Sequence, residues 1–119
     1  MGFTGPALDI ALGVSRAESG GYSDAVGDVS LVNDKWGPSI GLFQIRSLRH
    51  PGDYLYPDTL RVASDLRDPV KNAAAAYAIS KKGTVWTPWS VFNSGSYQQY
   101  ASKDYTIKTG HSRAGDWDK

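Results

Sequence analysis

One carboxyl group, that of Glu18, stands near the end of an otherwise apolar helical pattern, just before Gly20. On a helix over residues 8–19, Glu18 shares its face with Ala11 and Val14. Burial of that face would desolvate the carboxyl group, and the negative end of the helix dipole also disfavours its charge, so both effects raise its pKa. Such a group can keep its proton near neutral pH and act as a general acid. The alternative is a Glu whose tip extends into solvent.

Two later segments, residues 36–45 and 86–95, carry polar side chains that can complete a site around such an acid. Ser39 and Gln44 offer a hydroxyl and an amide to a bound substrate or to the acid itself, and the Asn93 amide can hold a hydroxyl of the substrate. Helix capping and turn formation are the alternative roles for these residue types.

Aromatic residues are abundant, with four Trp, seven Tyr and three Phe, many of them beside Ser, Asn and Gln. Sugar rings stack on aromatic faces while their hydroxyls take hydrogen bonds, so this composition is typical of a sugar-binding groove. Trp36, Trp86 and Trp89 are the candidates for stacking. Phe43 and Tyr77 are assigned mainly to the core, and core packing accounts for at least half of the aromatic residues.

Composition limits the remaining function classes. A chain of 119 residues predicts one domain, and a formal charge of +1 argues against nucleic acid or anionic lipid as partners. There is no Cys, and His50 and His111 are far apart without ligand-like neighbours, so we expect neither a metal nor a cofactor. No apolar segment reaches about 18 residues, which predicts no membrane insertion. A monomer is the default expectation.

The segment pattern predicts a mainly α fold. The expected elements are a helix from about Pro6 that stops at Gly20-Gly21, a loop over 22–38 of which part can pair as a hairpin, a short helix over 41–48, a helix from Asp58 to Leu66, a helix over 70–82 capped by Asp68-Pro69, and short turns over 87–92 and 96–103. Residues 1–108 are predicted to form the domain, and residues 109–119 a polar C-terminal tail or linker.

With these segments in this order, the chain resembles the lysozyme-like lytic transglycosylases and goose-type lysozymes. It is most similar to the catalytic domains of endolysins from phages that infect actinobacteria. That family has a Glu-Ser pair at a helix end, a Ser-x-Gly-Leu-x-Gln stretch and an Ala-Tyr-Asn-x-Gly-like segment. The corresponding residues here are Glu18-Ser19, the stretch from Ser39 to Gln44, and residues 91–95.

The resemblance implies a lysozyme-like fold with a short loop or β-hairpin region beside the active-site cleft. It also implies cleavage of the MurNAc–GlcNAc β-1,4 bond of peptidoglycan glycan strands. The chain departs from the family at Phe92, where the family often has a Tyr that hydrogen-bonds the catalytic acid. Ser39 or Tyr77 would then have to hold Glu18.

Glycosidases of the usual kind need a second carboxylate, as nucleophile or as base for water. Asp28 and Asp34 are the candidates, although both also suit turns. Without a second carboxylate, the resemblance implies an internal route. The N-acetyl group of the substrate assists bond cleavage, and Glu18 then takes the proton of the C6 hydroxyl to close a 1,6-anhydro ring.

A phage endolysin domain is therefore the leading interpretation, and a tail-associated or secreted wall enzyme would give the same pattern. A non-catalytic peptidoglycan-binding module on the same fold is the alternative from another class. The N-terminus lacks the basic and apolar blocks of a signal peptide. We therefore expect either release from the host cytoplasm by another factor or a piece cut from a longer chain.

Overall fold

A computed structural model describes residues 2–100 and 106–109. Three α-helices and a three-stranded antiparallel sheet alternate with short 3₁₀ turns along these residues. In chain order the elements are α1 (Gly5–Ser19), β1 (Val26–Gly27), β2 (Trp36–Ile40), β3 (Ile45–Leu48), α2 (Pro69–Ile79) and α3 (Ser90–Asn93), with 3₁₀ turns at Val29–Leu31, Pro51–Asp53, Asp58–Leu60, Asp65–Arg67 and Ser96–Tyr100.

Helix α1 ends where the sequence predicts. Gly20 takes the left-handed conformation (φ 64°), and its N–H caps the helix by donating to the carbonyl of Arg16. The Ser19 hydroxyl tightens this end because it donates to the Ser15 carbonyl at 2.8 Å and accepts from the Gly21 N–H at 3.2 Å. Glu18 is thereby held in the last turn.

The segment after α1 forms the sheet. Strand β2 pairs with β1 on one side and β3 on the other, with Ile40 opposite both Val26 and Ile45. The predicted helix over 41–48 is wrong. Gly41 (φ 82°) and Gln44 (φ 48°) both adopt left-handed backbone, which an α-helix cannot contain, so the segment turns back as β3.

The predicted helix from Asp58 to Leu66 is also wrong. Two 3₁₀ turns replace it, at Asp58–Leu60 and Asp65–Arg67, and Val62 between them forms a bridge to Leu48 of β3. Pairing with the sheet interrupts the helical hydrogen bonds, and this competing interaction is invisible in the local pattern.

Helix α2 begins at the predicted cap. The Asp68 carboxylate accepts hydrogen bonds from the N–H groups of Val70 (2.8 Å) and Lys71 (3.2 Å). The helix ends at Ile79, three residues before the predicted end, because Lys81 and Lys82 adopt positive φ values of 52° and 64°.

The C-terminal part returns to the end of α1. The Lys108 N–H donates to the Gly21 carbonyl, and its carbonyl accepts from the Ser23 N–H, both at 2.8 Å. The boundary at residue 108 stays a prediction. The end of the turn predicted over 96–103 and residues 110–119 of the predicted tail lie outside the described residues.

The expectation of a mainly α fold holds in part. Helical residues make up 46% of the structure, and the sheet supplies the rest of its regular elements. Most of the buried apolar residues form one core between α1, the sheet and α2. Its members are Ala11, Val14, Ile40, Leu42, Phe43, Ile45, Leu66, Ala75, Ala76, Trp86 and Trp89.

A fully buried amide, that of Asn72 on α2, joins three segments within this core. Its Nδ2 donates to the carbonyls of Ile40 (2.8 Å) and Leu66 (2.9 Å), and its Oδ1 accepts from the Phe43 N–H at 2.9 Å. A Cβ on Gly41 would collide with the Asn72 Nδ2 and the Leu66 carbonyl, so only glycine fits the turn. The amide therefore fixes the β2–β3 turn against α2.

We expect Asn72→Ala to lower the free energy of unfolding by about 3 kcal/mol or more, since it leaves buried backbone groups without partners. Asn93→Ala is the matched control, because the Asn93 amide is exposed and donates to one carbonyl, that of Thr87. The control should lose less than about 1 kcal/mol. Urea denaturation of both variants checks this, and equal losses would contradict the role given to Asn72.

Candidate active site

A polar cleft of about 440 Å³ opens between the end of α1, the sheet and the start of α3. It holds two carboxyl groups, two guanidinium groups and several uncharged polar groups. The residues that line it are Glu18, Asp28, Ser39, Gln44, Ile45, Arg46, Arg61, Ile79, Pro88, Trp89 and Ser90.

Glu18 enters the cleft half-buried from the last turn of α1. Burial, and after it the negative charge of Asp28, raise the pKa of Glu18 from its ordinary value of 4.5 to about 7. Both causes disfavour the charged form of the carboxyl group. Near neutral pH a large fraction of Glu18 therefore carries a proton that it can give to a substrate oxygen.

Asp28 lies across the cleft in an exposed turn after β1. Its backbone is left-handed (φ 57°), a conformation that Asp tolerates better than most residues, and the Leu31 N–H donates to its carbonyl at 2.9 Å. The Ser39 hydroxyl donates to its Oδ2 at 2.6 Å. The single hydroxyl hydrogen of Ser39 thus orients Asp28, and Ser39 does not donate to Glu18.

Gln44 is held by the chain around it. Its Nε2 donates to the carbonyls of Ala25 (3.1 Å) and Gly41 (3.0 Å), and its Oε1 lies against Gly27, where a Cβ would come within 2.5 Å. The side chain therefore ties β1 to the β2–β3 turn. This contact fixes one wall of the cleft.

Trp89 closes the inner side of the cleft. It is only 4% exposed, and its indole N–H donates to the Phe43 carbonyl at 2.8 Å. Trp86 does not line the cleft; it packs in the core against Phe3 and Trp89, and its N–H donates to the Gly83 carbonyl.

Five other predicted site residues do not line the cleft, namely Asp34, Trp36, Tyr77, Phe92 and Asn93. Tyr77 packs edge-on against Phe3, with ring centroids 5.2 Å apart, and Phe92 stacks on Tyr97 at the same distance. Asp34 and Asn93 are exposed. The substrate contacts predicted for the other four residues therefore require a substrate that extends beyond the cleft, and Asp34, predicted as a possible second carboxylate, lies outside the cleft lining.

The two guanidinium groups, those of Arg46 and Arg61, are absent from the sequence-based candidates. Arg46 follows Gln44 by two residues on β3, so its proximity to the site could be inferred once this segment is known to be a strand. Arg61 comes from the segment predicted as a helix, and no local pattern places it beside β3.

Among the described residues, no group of three or more His, Cys, Asp or Glu side chains could hold a metal ion. Within the same residues, no helix has the length and apolar character needed to cross a membrane.

Comparison with known proteins gives one match. A family model described as a lysozyme-like domain matches residues 1–91, more than half of the chain. Neither a curated protein nor a solved structure matches the chain significantly. The matched range contains all of α1, the sheet and α2, and every residue that lines the cleft.

We expect Glu18→Gln to stabilise the protein above pH 7. A pKa raised from 4.5 to about 7 means that the folded state binds the proton more tightly than the unfolded state, so parent stability falls as pH rises through that window. The variant lacks this penalty. At pH 8 its free energy of unfolding should exceed that of the parent by about 1–2 kcal/mol, once solvent screening of a half-buried group is allowed for.

Thermal unfolding of parent and variant at pH 4 and pH 8 checks this. The two proteins should have similar stability at pH 4, where the carboxyl group is mostly protonated in both the folded and the unfolded state. A variant that is less stable than the parent at pH 8 would show that the ionised carboxylate is favoured in the fold.

Asp28→Asn should lower the pKa of Glu18, since it removes the second of the two causes that raise it. Titration of the Glu18 carboxyl carbon by NMR measures this directly. Asp34→Asn removes the same charge from an exposed position outside the cleft and should leave the titration unchanged. Equal shifts in both variants would mean that Asp28 acts only through the overall charge.

Proposed function

This chain belongs to the lysozyme-like domain family, and on that premise we propose that it cleaves the MurNAc–GlcNAc β-1,4 bond of peptidoglycan with Glu18 as general acid. Membership in the family indicates a glycosidase that acts on peptidoglycan. The observation that carries the specific proposal is the half-buried Glu18 carboxyl in a polar cleft, with its pKa raised to about 7.

Cleavage of a glycosidic bond needs a proton on the leaving oxygen and stabilisation of an oxocarbenium-like transition state. Glu18 supplies the proton from the end of α1, and general acid catalysis of this kind accelerates a reaction by roughly 10²–10⁴-fold. Its protonated fraction falls above pH 7, so the rate should fall there as well.

Asp28 is the better candidate for the second carboxylate. It lines the same cleft as Glu18 and acts on its pKa, whereas Asp34 does not line the cleft. In a hydrolase Asp28 would activate water or stabilise the cationic sugar. In a lytic transglycosylase the N-acetyl group of the substrate stabilises the cationic sugar instead, and Glu18 removes the proton of the C6 hydroxyl.

Ser39, Gln44 and Ser90 supply the uncharged polar side chains of the cleft in this proposal, and Trp89 is part of its apolar surface. Because Trp89 is almost fully buried, it offers a sugar only a small part of its ring surface. Trp36, Tyr77, Phe92 and Asn93 stay predictions as substrate contacts.

A non-catalytic wall-binding module on this fold is the competing proposal. Burial of a carboxyl group costs free energy, and a module that only binds glycan has no use for a desolvated acid. The position of Glu18 therefore favours the enzyme.

For the biological setting we propose a phage endolysin domain that acts as a monomer on the bacterial wall after another factor releases it from the host cytoplasm. The similarity of the three sequence motifs to actinobacteriophage endolysins supports this setting. A tail-associated or secreted enzyme would use the same chemistry.

Mass spectrometry of the sugars released from purified peptidoglycan tests the activity. The parent should release muropeptides, and Glu18→Gln should release at least about 100-fold less because it has no proton to donate. No release by either protein would overturn the enzyme and leave the binding module.

The product ends distinguish the two routes. Reducing-end MurNAc that disappears in Asp28→Asn indicates hydrolysis with Asp28 as the second carboxylate. Products that end in 1,6-anhydro-MurNAc in both the parent and Asp28→Asn indicate the internal route and remove Asp28 from the chemistry.

A further inference from the structure

We propose that Arg46 and Arg61 form a subsite in the cleft for a carboxylate carried by a substituent of the glycan. This inference rests on the proposed function, since it names the part of the peptidoglycan substrate that the guanidinium groups recognise. A glycan backbone of N-acetylated sugars is neutral, so cleavage of the backbone alone does not require a cationic wall in the cleft.

The two guanidinium groups contact the same aromatic ring. Both lie over the ring of Trp36, with their central carbons 5.6 Å (Arg46) and 5.5 Å (Arg61) from its centroid. The Arg61 Nη1 also donates to the backbone carbonyl of Arg46 at 3.0 Å. The stacking on an aromatic face and the backbone contact orient both groups before any ligand arrives.

Arg46 forms no ion pair with an acid among the described residues. Its Nε donates to the Gly37 carbonyl and its Nη2 to the Leu31 carbonyl, both at 2.6 Å. These neutral acceptors leave the full positive charge in place and leave further N–H donors of the group for a ligand.

Arg61 has one acidic partner, Asp58, whose Oδ1 lies 2.8 Å from its Nε. Lys35 adds a third cation, since its Nζ lies 5.1 Å from the centroid of the Trp36 ring. Three cationic side chains therefore contact this ring, and among the described residues one of them, Arg61, forms an ion pair with a carboxylate. An anion that binds here would meet a net positive charge.

The guanidinium groups of the cleft do not pair with Glu18. Among the described residues, Arg61 forms its ion pair with Asp58, and Glu18 forms none with either arginine. Burial and the charge of Asp28 both raise the pKa of Glu18. The two arginines can therefore meet a substituent of the substrate without a direct contact to the general acid.

The planar fork of a guanidinium matches the two oxygens of a carboxylate. In the proposed substrate, MurNAc carries such a group on its lactyl ether, either free or amide-linked to a stem peptide that has carboxylates of its own. The chemistry that the pair recognises is the same in both cases.

Kinetics on soluble, uncrosslinked peptidoglycan test the proposal, with one half of the preparation untreated and the other half amidated with carbodiimide to neutralise its carboxylates. Arg46→Gln and Arg61→Gln should each raise KM on the untreated substrate about 10- to 100-fold with little change in kcat. On the amidated substrate both variants should match the parent within about twofold.

Arg49→Gln is the matched control. It removes the same charge from an exposed residue just after β3 that does not line the cleft, and it should behave as the parent on both substrates. The amidated substrate also controls for folding, because a damaged variant would lose activity on it as well. If Arg46→Gln is damaged in this way, Arg61→Gln carries the test.

Glycan stripped of its stem peptides by an amidase identifies the source of the carboxylate. If the KM difference between parent and Arg61→Gln persists on stripped strands, the lactyl carboxylate is bound; if it disappears, the peptide carboxylates are bound. An equal rise in KM on untreated and amidated substrate with kcat unchanged, or no effect of the variants on either substrate, would overturn the proposal.

A parent that cleaves no substrate would contradict the proposed function without deciding the role of the arginine pair. Co-sedimentation with untreated and amidated sacculi decides it in that case. The parent should bind untreated sacculi more tightly, and the two Arg→Gln variants should lose that preference. Equal binding of the parent to both sacculi would overturn the proposal.

Discussion

The buried amide of Asn72 is the interaction on which the rest of the site depends. It joins α2 to the Phe43 N–H of the β2–β3 turn, and the Phe43 carbonyl in turn accepts the indole N–H of Trp89. One backbone unit thus connects the core amide with the inner surface of the cleft. Because each buried group in this series has a defined partner, the turn has one stable arrangement, and Gln44 within it has a fixed place.

The same turn explains where prediction from sequence succeeds and where it fails. The end of α1 and the Asp68 cap depend on residues within one helical turn, so the local sequence indicates both correctly. The β2–β3 turn depends on Asn72, some thirty residues away, and the stretch around it was therefore predicted as a helix. Local patterns carry no information about a partner at that distance.

Of the candidate site, Glu18 and its environment could be predicted, because helix amphipathicity and the helix end are both visible in sequence. The choice between Asp28 and Asp34 could not be made, since both stand in turn-forming contexts and only the sheet register brings one to the cleft. The arginine pair was missed for a related reason: Arg61 reaches the cleft through a segment that pairs with the sheet at Val62. Phe92, the departure from the family motif, packs against Tyr97.

The backbone of Asp28 has a consequence for how this position can change over time. A left-handed conformation strains every side chain that has a Cβ, and glycine would adopt φ 57° without that cost. Selection against backbone strain alone would therefore drive the position towards glycine, while the hydrogen bond from Ser39 and selection for a negative charge beside Glu18 would retain the aspartate. Among related chains, the identity of this one residue would report which of the two pressures has acted.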